Sequence, residues 1–143
     1  MSGKKLWDKG IETDTFIEKF TVGKDREFDQ QLATFDVQGS LAHINMLHSI
    51  GLLEAEELEI LEDELRTIDK EYIQKGTFEI EEGVEDVHSQ IELMLVRKLG
   101  DVGKKIHAGR SRNDQVLVDL KLFLRAELHE IVELTKKLFD TLI

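Results

Sequence analysis

The segment from Asn113 to Ile143 contains neither glycine nor proline, and it constrains the fold more than any other feature of the sequence. Nine of the thirteen residues between Val116 and Leu128 are apolar and face every direction of a helix, whereas a surface helix needs only one apolar stripe. We therefore expect a helix of about 45 Å, at 1.5 Å per residue, that is buried on all sides. A chain of 143 residues can hardly surround it, so the missing contacts should come from other copies or from further sequence. The unbroken period at the final "KLFDTLI" suggests a truncation.

Shorter helices are predicted before this segment. The chain has no proline, so glycines are the residues expected to end its helices. Apolar residues recur at spacings of three and four over about 28–49, 55–74 and 85–99, which is typical of amphipathic helices. Gly51 and Gly76 follow two of these segments, where left-handed C-terminal caps are common. The fold class is therefore predicted to be all-α.

Two segments lack a helical period. "TFEIEEG" (77–83) alternates weakly, and a lone strand is not stable, so a loop or an isolated strand is expected. The connector "GDVGKKIHAGRSR" (100–112) holds three glycines and should be irregular. We divide the chain into an N-terminal helical domain, 1–112, and the start of a long helix, 113–143.

Charge and composition exclude several classes of function. The formal net charge is −11, which argues against a nucleic-acid or anionic-membrane surface. Cysteine is absent, so disulfides and thiolate metal sites are impossible. The N-terminus has no signal-peptide core, and no window is long and apolar enough to span a membrane. We expect a soluble, cytoplasmic protein.

Polar and basic residues concentrate in "HAGRSRNDQV" (107–116), directly before the apolar run. Ser111, Asn113 and Asp114 are all favoured N-cap types. The first turn of a helix attracts anions, and Arg110 and Arg112 could both bind the same anion. The pattern fits a solvated helix start with surface arginines as well as it fits a carboxylate or phosphate site.

The stretch "HAGRSRNDQVLVDL" resembles the first conserved region of argininosuccinate lyases, which usually carry threonine or serine where this chain has Ala108. The double-arginine form is typical of this branch of the fumarase and aspartase superfamily. Further segments match the family in order and approximate spacing, so that the resemblance covers nearly the whole chain: "EKF" (18–20), "DVQGSLAH" (36–43), "GLL" (51–53) and "EDVHSQIE" (85–92).

The resemblance implies a reversible β-elimination in arginine biosynthesis, in which argininosuccinate gives arginine and fumarate without a metal or organic cofactor. It implies that Ser111, Arg112 and Asn113 bind the succinate end of the substrate. The family's catalytic histidine and serine belong to later regions, so we assign no catalytic residue here and expect the 143 residues to be inactive alone. The family forms homotetramers around a central helix bundle, to which the segment after Asn113 would belong.

The sequence departs from the family near its substrate-binding serine, where it reads "EKFTVGKDREFD". Lys24 or Asp25 could take over this contact, as could Thr21. The resemblance leaves the choice among them open.

Other polar residues near the site are predicted to support it without touching the substrate. His88 should position the connector, Arg110 and Asp114 should assist the binding residues, and His107 should anchor the loop. The remaining histidines lack metal-ligand spacing, and "EEGVED" lacks the alternating ligands of a calcium loop, so no metal is assigned.

Two alternatives carry no chemistry. The acidic run "EAEELEILEDELRTIDKE" would suit a helical interaction module, although such a run is usually a solvated helix face. Lens crystallins of the delta type resemble these lyases closely, so a structural homologue without catalysis is the other alternative.

Overall fold

The computed structural model describes Phe20 and residues 23–143, except for the side chain of Asp25. Among these residues there is no β-strand, which confirms the all-α prediction. None of their helices combines the length and the apolarity needed to cross a bilayer. The helices are α1 (Asp25–Asp29), α2 (Ala33–Ser49), α3 (Ala55–Ile68), α4 (Val87–Leu99), α5 (Asp101–Lys104) and α6 (Arg112–Leu142).

The predicted helix ends agree with the structure. Gly51 and Gly76 both have positive φ, 77° and 68°, a conformation that glycine adopts without steric cost. Helix α3 begins with a capping box between Glu54 and Glu57, in which the Glu54 amide donates to Glu57 Oε2 at 3.1 Å. After Ile68 the predicted second helix continues as one π-helical turn, and the predicted first helix includes a 3₁₀ turn between α1 and α2.

The connector is more regular than the sequence suggested. It forms α5 and a 3₁₀ turn over Lys105–His107. Four residues are too few to show a helical period, which is why α5 was missed. Gly103 permits this packing, because a Cβ there would lie 2.6 Å from the carbonyl carbon of Leu95 in α4.

The hydrophobic core lies mainly between α2, α3 and α4. The loop 77–83 contributes two buried side chains, Phe78 and Ile80, and contains no strand, so the loop interpretation is confirmed. The fully buried large apolar residues are Ile44, Leu47, Leu61, Leu65, Ile68, Val87, Ile91 and Leu95.

Helix α6 packs on α2 through its first turns only. Phe123 meets Phe35 edge to face, with ring centroids 5.9 Å apart. Beyond Phe123 every residue of the helix is exposed, including Leu124, Leu128 and Ile131. The other helices of one copy cover only the start of α6, so burial of the remainder by other copies or by further sequence stays a prediction.

Candidate functional site

Ser111 caps α6, the helix whose start carries the predicted binding residues. Its backbone is extended, with φ −113° and ψ 151°. The Asn113 amide donates to Ser111 Oγ at 3.2 Å, and the Ser111 amide donates to Asp114 Oδ1 at 2.5 Å. This capping box selects Ser111 from the three candidate caps and makes Asp114 its partner.

Arg112 joins the starts of two helices. Its Nη2 donates to Ser89 Oγ at 3.0 Å and its Nη1 to Gln115 Oε1 at 3.2 Å, while its Nε lies 3.3 Å from Asp86 Oδ2. Asp86 is itself the cap of α4, since its Oδ1 accepts from the Ser89 amide at 2.7 Å. The positive ends of α4 and α6 therefore lie side by side, with a guanidinium between them.

The side chain of Asn113 is free to bind a ligand. The residue is exposed, and its side-chain amide makes no hydrogen bond to another described residue. Ser111 is exposed as well. The first turn of α6 thus presents an amide and a hydroxyl to solvent beside Arg112, an arrangement that can bind a carboxylate.

Lys24 is the only one of the three substitutes proposed for the family's serine whose side chain the structure describes. Lys24 is exposed at the start of α1, and no hydrogen bond or ion pair within the described residues joins it to Ser111–Asn113. The side chain of Asp25 and the whole of Thr21 lie outside the described part of the chain.

Arg110 points into the interior of the protein. Its side chain is 3% exposed, Nη1 donates to Ser40 Oγ at 3.1 Å, and Nε lies 3.7 Å from Asp114 Oδ2. Burial lowers the Arg110 pKa, and neighbouring carboxylates only partly oppose that change. The idea that both arginines grip one anion is therefore wrong for this structure, because Arg110 faces the interior of the protein.

His43 anchors the connector, a role that the sequence did not reveal. Its Nε2 donates to the Ala108 carbonyl at 3.0 Å, across 65 positions of sequence. Burial lowers the His43 pKa, more than the bond to Ala108 raises it, so the ring is neutral at physiological pH. His107, the predicted anchor, is half-buried, and its role stays a prediction.

His88 lies in a buried cluster with Asp36 and Asp119, at the meeting point of α2, α4 and α6. Its Nδ1 is 2.8 Å from Asp36 Oδ1 and 3.5 Å from Asp119 Oδ2. Burial opposes a charge on the ring, but the hydrogen bond and charge of Asp36, together with Asp86 and Asp119, raise the His88 pKa. His88 thus connects three helices, and its predicted role in positioning the connector stays a prediction.

The two carboxylates of this cluster were missed in the sequence, although each leaves a signal. Asp119 is the first charged residue in the apolar run that begins at Val116, and it is completely buried. Asp36 is 1% exposed and lies in the apolar stripe of α2. A charged residue inside an apolar stripe indicates a buried polar contact.

The same cluster is the only group of three potential metal ligands found among the described residues. One ligand atom from each of Asp36, His88 and Asp119 lies within 4.8 Å of the others. However, His88 Nδ1 is already hydrogen-bonded to Asp36, and the positive charge of Arg110 acts on Asp119. Both features disfavour an additional cation, so the cluster is better explained by protons than by a metal.

A separate pocket of about 420 Å³ lies beside α4, and it shares no residue with the start of α6. Both of its basic side chains are paired, Arg97 with Glu81 and Lys98 with Glu64. The pocket therefore offers no unpaired cation to a carboxylate ligand, and it adds nothing to the candidate site.

Comparison with known proteins settles the family. Residues 8–143 match the sequence profile of a family described as "Lyase". The chain belongs to this lyase family. Among its relatives, the chain is 62% identical over 140 residues to an argininosuccinate lyase of Parabacteroides distasonis and 63% identical over 140 residues to one of Bacteroides thetaiotaomicron.

The relatives also define how much of a lyase this chain represents. Each of those two alignments covers 98% of this chain and 31% of the relative. An argininosuccinate lyase of Phocaeicola vulgatus is 64% identical over the same shares. The resemblance read from "HAGRSRNDQVLVDL" is confirmed, and the chain spans about a third of the length of the lyases that it matches.

Proposed function

We propose that the protein containing this chain is an argininosuccinate lyase, and that the start of α6 binds the succinate end of its substrate. The observation that carries this proposal is the capping box of Ser111, which fixes the first turn of α6 while Asn113 stays exposed beside Arg112. The names of relatives more than 60% identical support the choice of reaction.

The chemistry requires such a site. In a β-elimination, a base removes a proton from the carbon next to a carboxylate, and that carboxylate takes up the developing negative charge. The carbon–nitrogen bond then breaks, which releases fumarate and arginine. Donors fixed before the reaction stabilise this charge most effectively. Arg112, Asn113 and the first-turn amides of α6 would orient the carboxylate and stabilise its growing charge.

Asp86 and Ser89 have a part in this proposal because they hold Arg112. Three hydrogen-bonding or ionic contacts fix the guanidinium, to Ser89, Gln115 and Asp86. A guanidinium held in this way loses little further freedom when an anion arrives, so less of the binding free energy is spent on ordering it.

Other features of the family are proposed with the activity. We propose that residues 1–112 form a helical domain and that 113–143 begin a bundle helix in a cytoplasmic homotetramer, without a cofactor. The exposed apolar side chains beyond Phe123 support a role in assembly. The catalytic groups would come from other parts of the protein, so the 143 residues alone would be inactive.

The test uses a full-length lyase. Residues 1–143 replace the matched segment of the Parabacteroides distasonis relative, and fumarate formation from argininosuccinate is followed by ultraviolet absorbance. We expect activity in this chimera and none in the isolated chain. Asn113→Ala should abolish most of the activity, whereas Asn45→Ala, at an exposed position of α2, should not. A tetrameric chimera without activity would contradict the proposal, as would fumarate formation by Asn113→Ala at the unaltered rate.

A further inference from the structure

Asp119 is a buried carboxyl group for which the described residues supply no hydrogen-bond donor. It is completely buried, yet neither carboxylate oxygen has a hydrogen-bond partner among the described residues. An ionised carboxylate without a donor is strongly disfavoured in a protein interior. The native state must therefore supply either a donor or a proton.

No neighbouring side chain supplies the donor. His88 Nδ1 is bonded to Asp36 at 2.8 Å and lies 3.5 Å from Asp119. Arg110 directs Nη1 to Ser40 and Nε towards Asp114. A proton on Asp119 itself removes the problem, because the neutral acid can donate to the neighbouring carboxylate of Asp36.

We propose that Asp119 is a positioning residue, a neutral acid whose hydrogen bond to Asp36 fixes the first turns of α6, and with them Arg112 and Asn113, against α2 and α4. Its effect on catalysis rests on the proposed lyase function, whereas the hydrogen bond itself does not.

The charges around Asp119 favour the neutral acid. Burial and then the negative charge of Asp36 raise the Asp119 pKa, His88 and Arg110 oppose them, and the net result is a pKa of about 7. The charged and titratable groups that act on His88 or Asp119 are Asp36 of α2, Asp86 and His88 at the start of α4, and Arg110 of the connector. Arg112 and Asp114 of α6 act in turn on Arg110.

The position of Asp119 explains how it would act on the binding residues. Asp119 packs against Gly39 of α2: a Cβ on Gly39 would be 3.4 Å from Asp119 Oδ1 and 3.6 Å from Arg110 Nη2. Asp119 follows Ser111 by about two helical turns. Loss of its hydrogen bond at this crossing would therefore release the capped end of α6.

Three variants of the full-length protein test the proposal. Asp119→Asn keeps the shape and an N–H donor for Asp36, Asp119→Ala removes both, and Asp140→Asn on the exposed part of α6 is the control. We expect Asp119→Asn and the control to stay within about threefold of the original KM and kcat. Asp119→Ala should raise KM for argininosuccinate by about tenfold or more, and hydrogen exchange of the Ser111–Asn113 amides should accelerate.

A pH titration separates positioning from a general loss of stability. The ¹³C signal of the Asp119 carboxyl, read without substrate, should titrate near 7. Amide exchange becomes faster with pH in any protein, so each rate is divided by the intrinsic rate at that pH. The resulting protection of the Ser111–Asn113 amides should fall above about pH 7 in the original protein but not in Asp119→Asn. An Asp119 carboxyl that is ionised at pH 5 would overturn the proposal, and so would equal damage from Asn and Ala. Because titration and exchange need no substrate, they decide the hydrogen bond even if the lyase assignment fails.

Discussion

Arg112 Nε lies 3.3 Å from Asp86 Oδ2, so the first residue of α6 is tied to the residue that caps α4. The connector, which includes α5, separates the two helices in sequence, yet their first turns lie next to each other. Each start carries part of a positive dipole. The candidate site is thus made by two helix ends, although the sequence motif belongs to only one of them.

Replacement of Arg112 by alanine should reduce transition-state stabilisation in the full-length enzyme by about 2–4 kcal/mol. This is the usual effect of removing a fixed donor near a developing oxyanion. The kcat/KM for argininosuccinate measures it. Arg125→Ala is the matched control, since Arg125 is exposed further along α6, and it should leave kcat/KM nearly unchanged. If both variants behave alike, Arg112 does not bind the carboxylate.

Ser111→Ala should destabilise the protein by about 1 kcal/mol, because the backbone amide of Asn113 would lose its hydrogen bond to Ser111 Oγ. Chemical denaturation measures the free energy of unfolding. Ser111→Asp, which can also cap a helix, should retain most of the stability. Equal losses for Ala and Asp would show that the cap is not what matters at this position.

Gly103→Ala should destabilise the protein by about 1–3 kcal/mol, because the new Cβ would meet the Leu95 backbone of α4, which cannot move aside as a flexible side chain would. The comparison is Lys104→Ala on the same short helix, whose exposed ion pair with Asp101 contributes little. Denaturation midpoints of the two variants give the answer. A Gly103→Ala midpoint equal to that of Lys104→Ala would mean that α5 does not pack on α4 in this way.

The free energy of unfolding should fall as pH rises from about 5 to 8. The folded state raises the pKa of Asp119 to about 7 and also raises that of His88. The lowered pKa of His43 acts in the opposite direction, but it is one group against two. The native protein therefore binds more protons than the unfolded chain in this range, and by linkage stability decreases with increasing pH. Asp119→Asn should flatten the dependence, leaving the opposing parts due to His88 and His43, and urea denaturation at several pH values measures both. If the free energy of unfolding increased with pH from about 5 to 8 in both the original protein and the variant, the raised pKa values of Asp119 and His88 would be contradicted.

The fold was predictable where local signals are strong, and less so where packing decides. Apolar spacing and the glycines at 51 and 76 located α2 and α3, and the polar types at Ser111 and Asp114 located the start of α6. Asp36 and Asp119 each leave a local signal, a charged residue among apolar ones, but that signal does not name their partners, which come from distant segments. The inward direction of Arg110 depends on Ser40, seventy positions earlier. Such directions follow from tertiary contacts and leave no mark on local periodicity.

The exposed part of α6 amplifies small movements of its packed end. Packing on α2 ends near Phe123, and the remaining turns extend by about 28 Å at 1.5 Å per residue. A tilt of about 5° at the fixed end would therefore move the far end by about 2.5 Å, a shift large enough to change the packing of a neighbouring helix. Any helix packed against the far end would therefore move with small changes in the packing of Phe123 on Phe35.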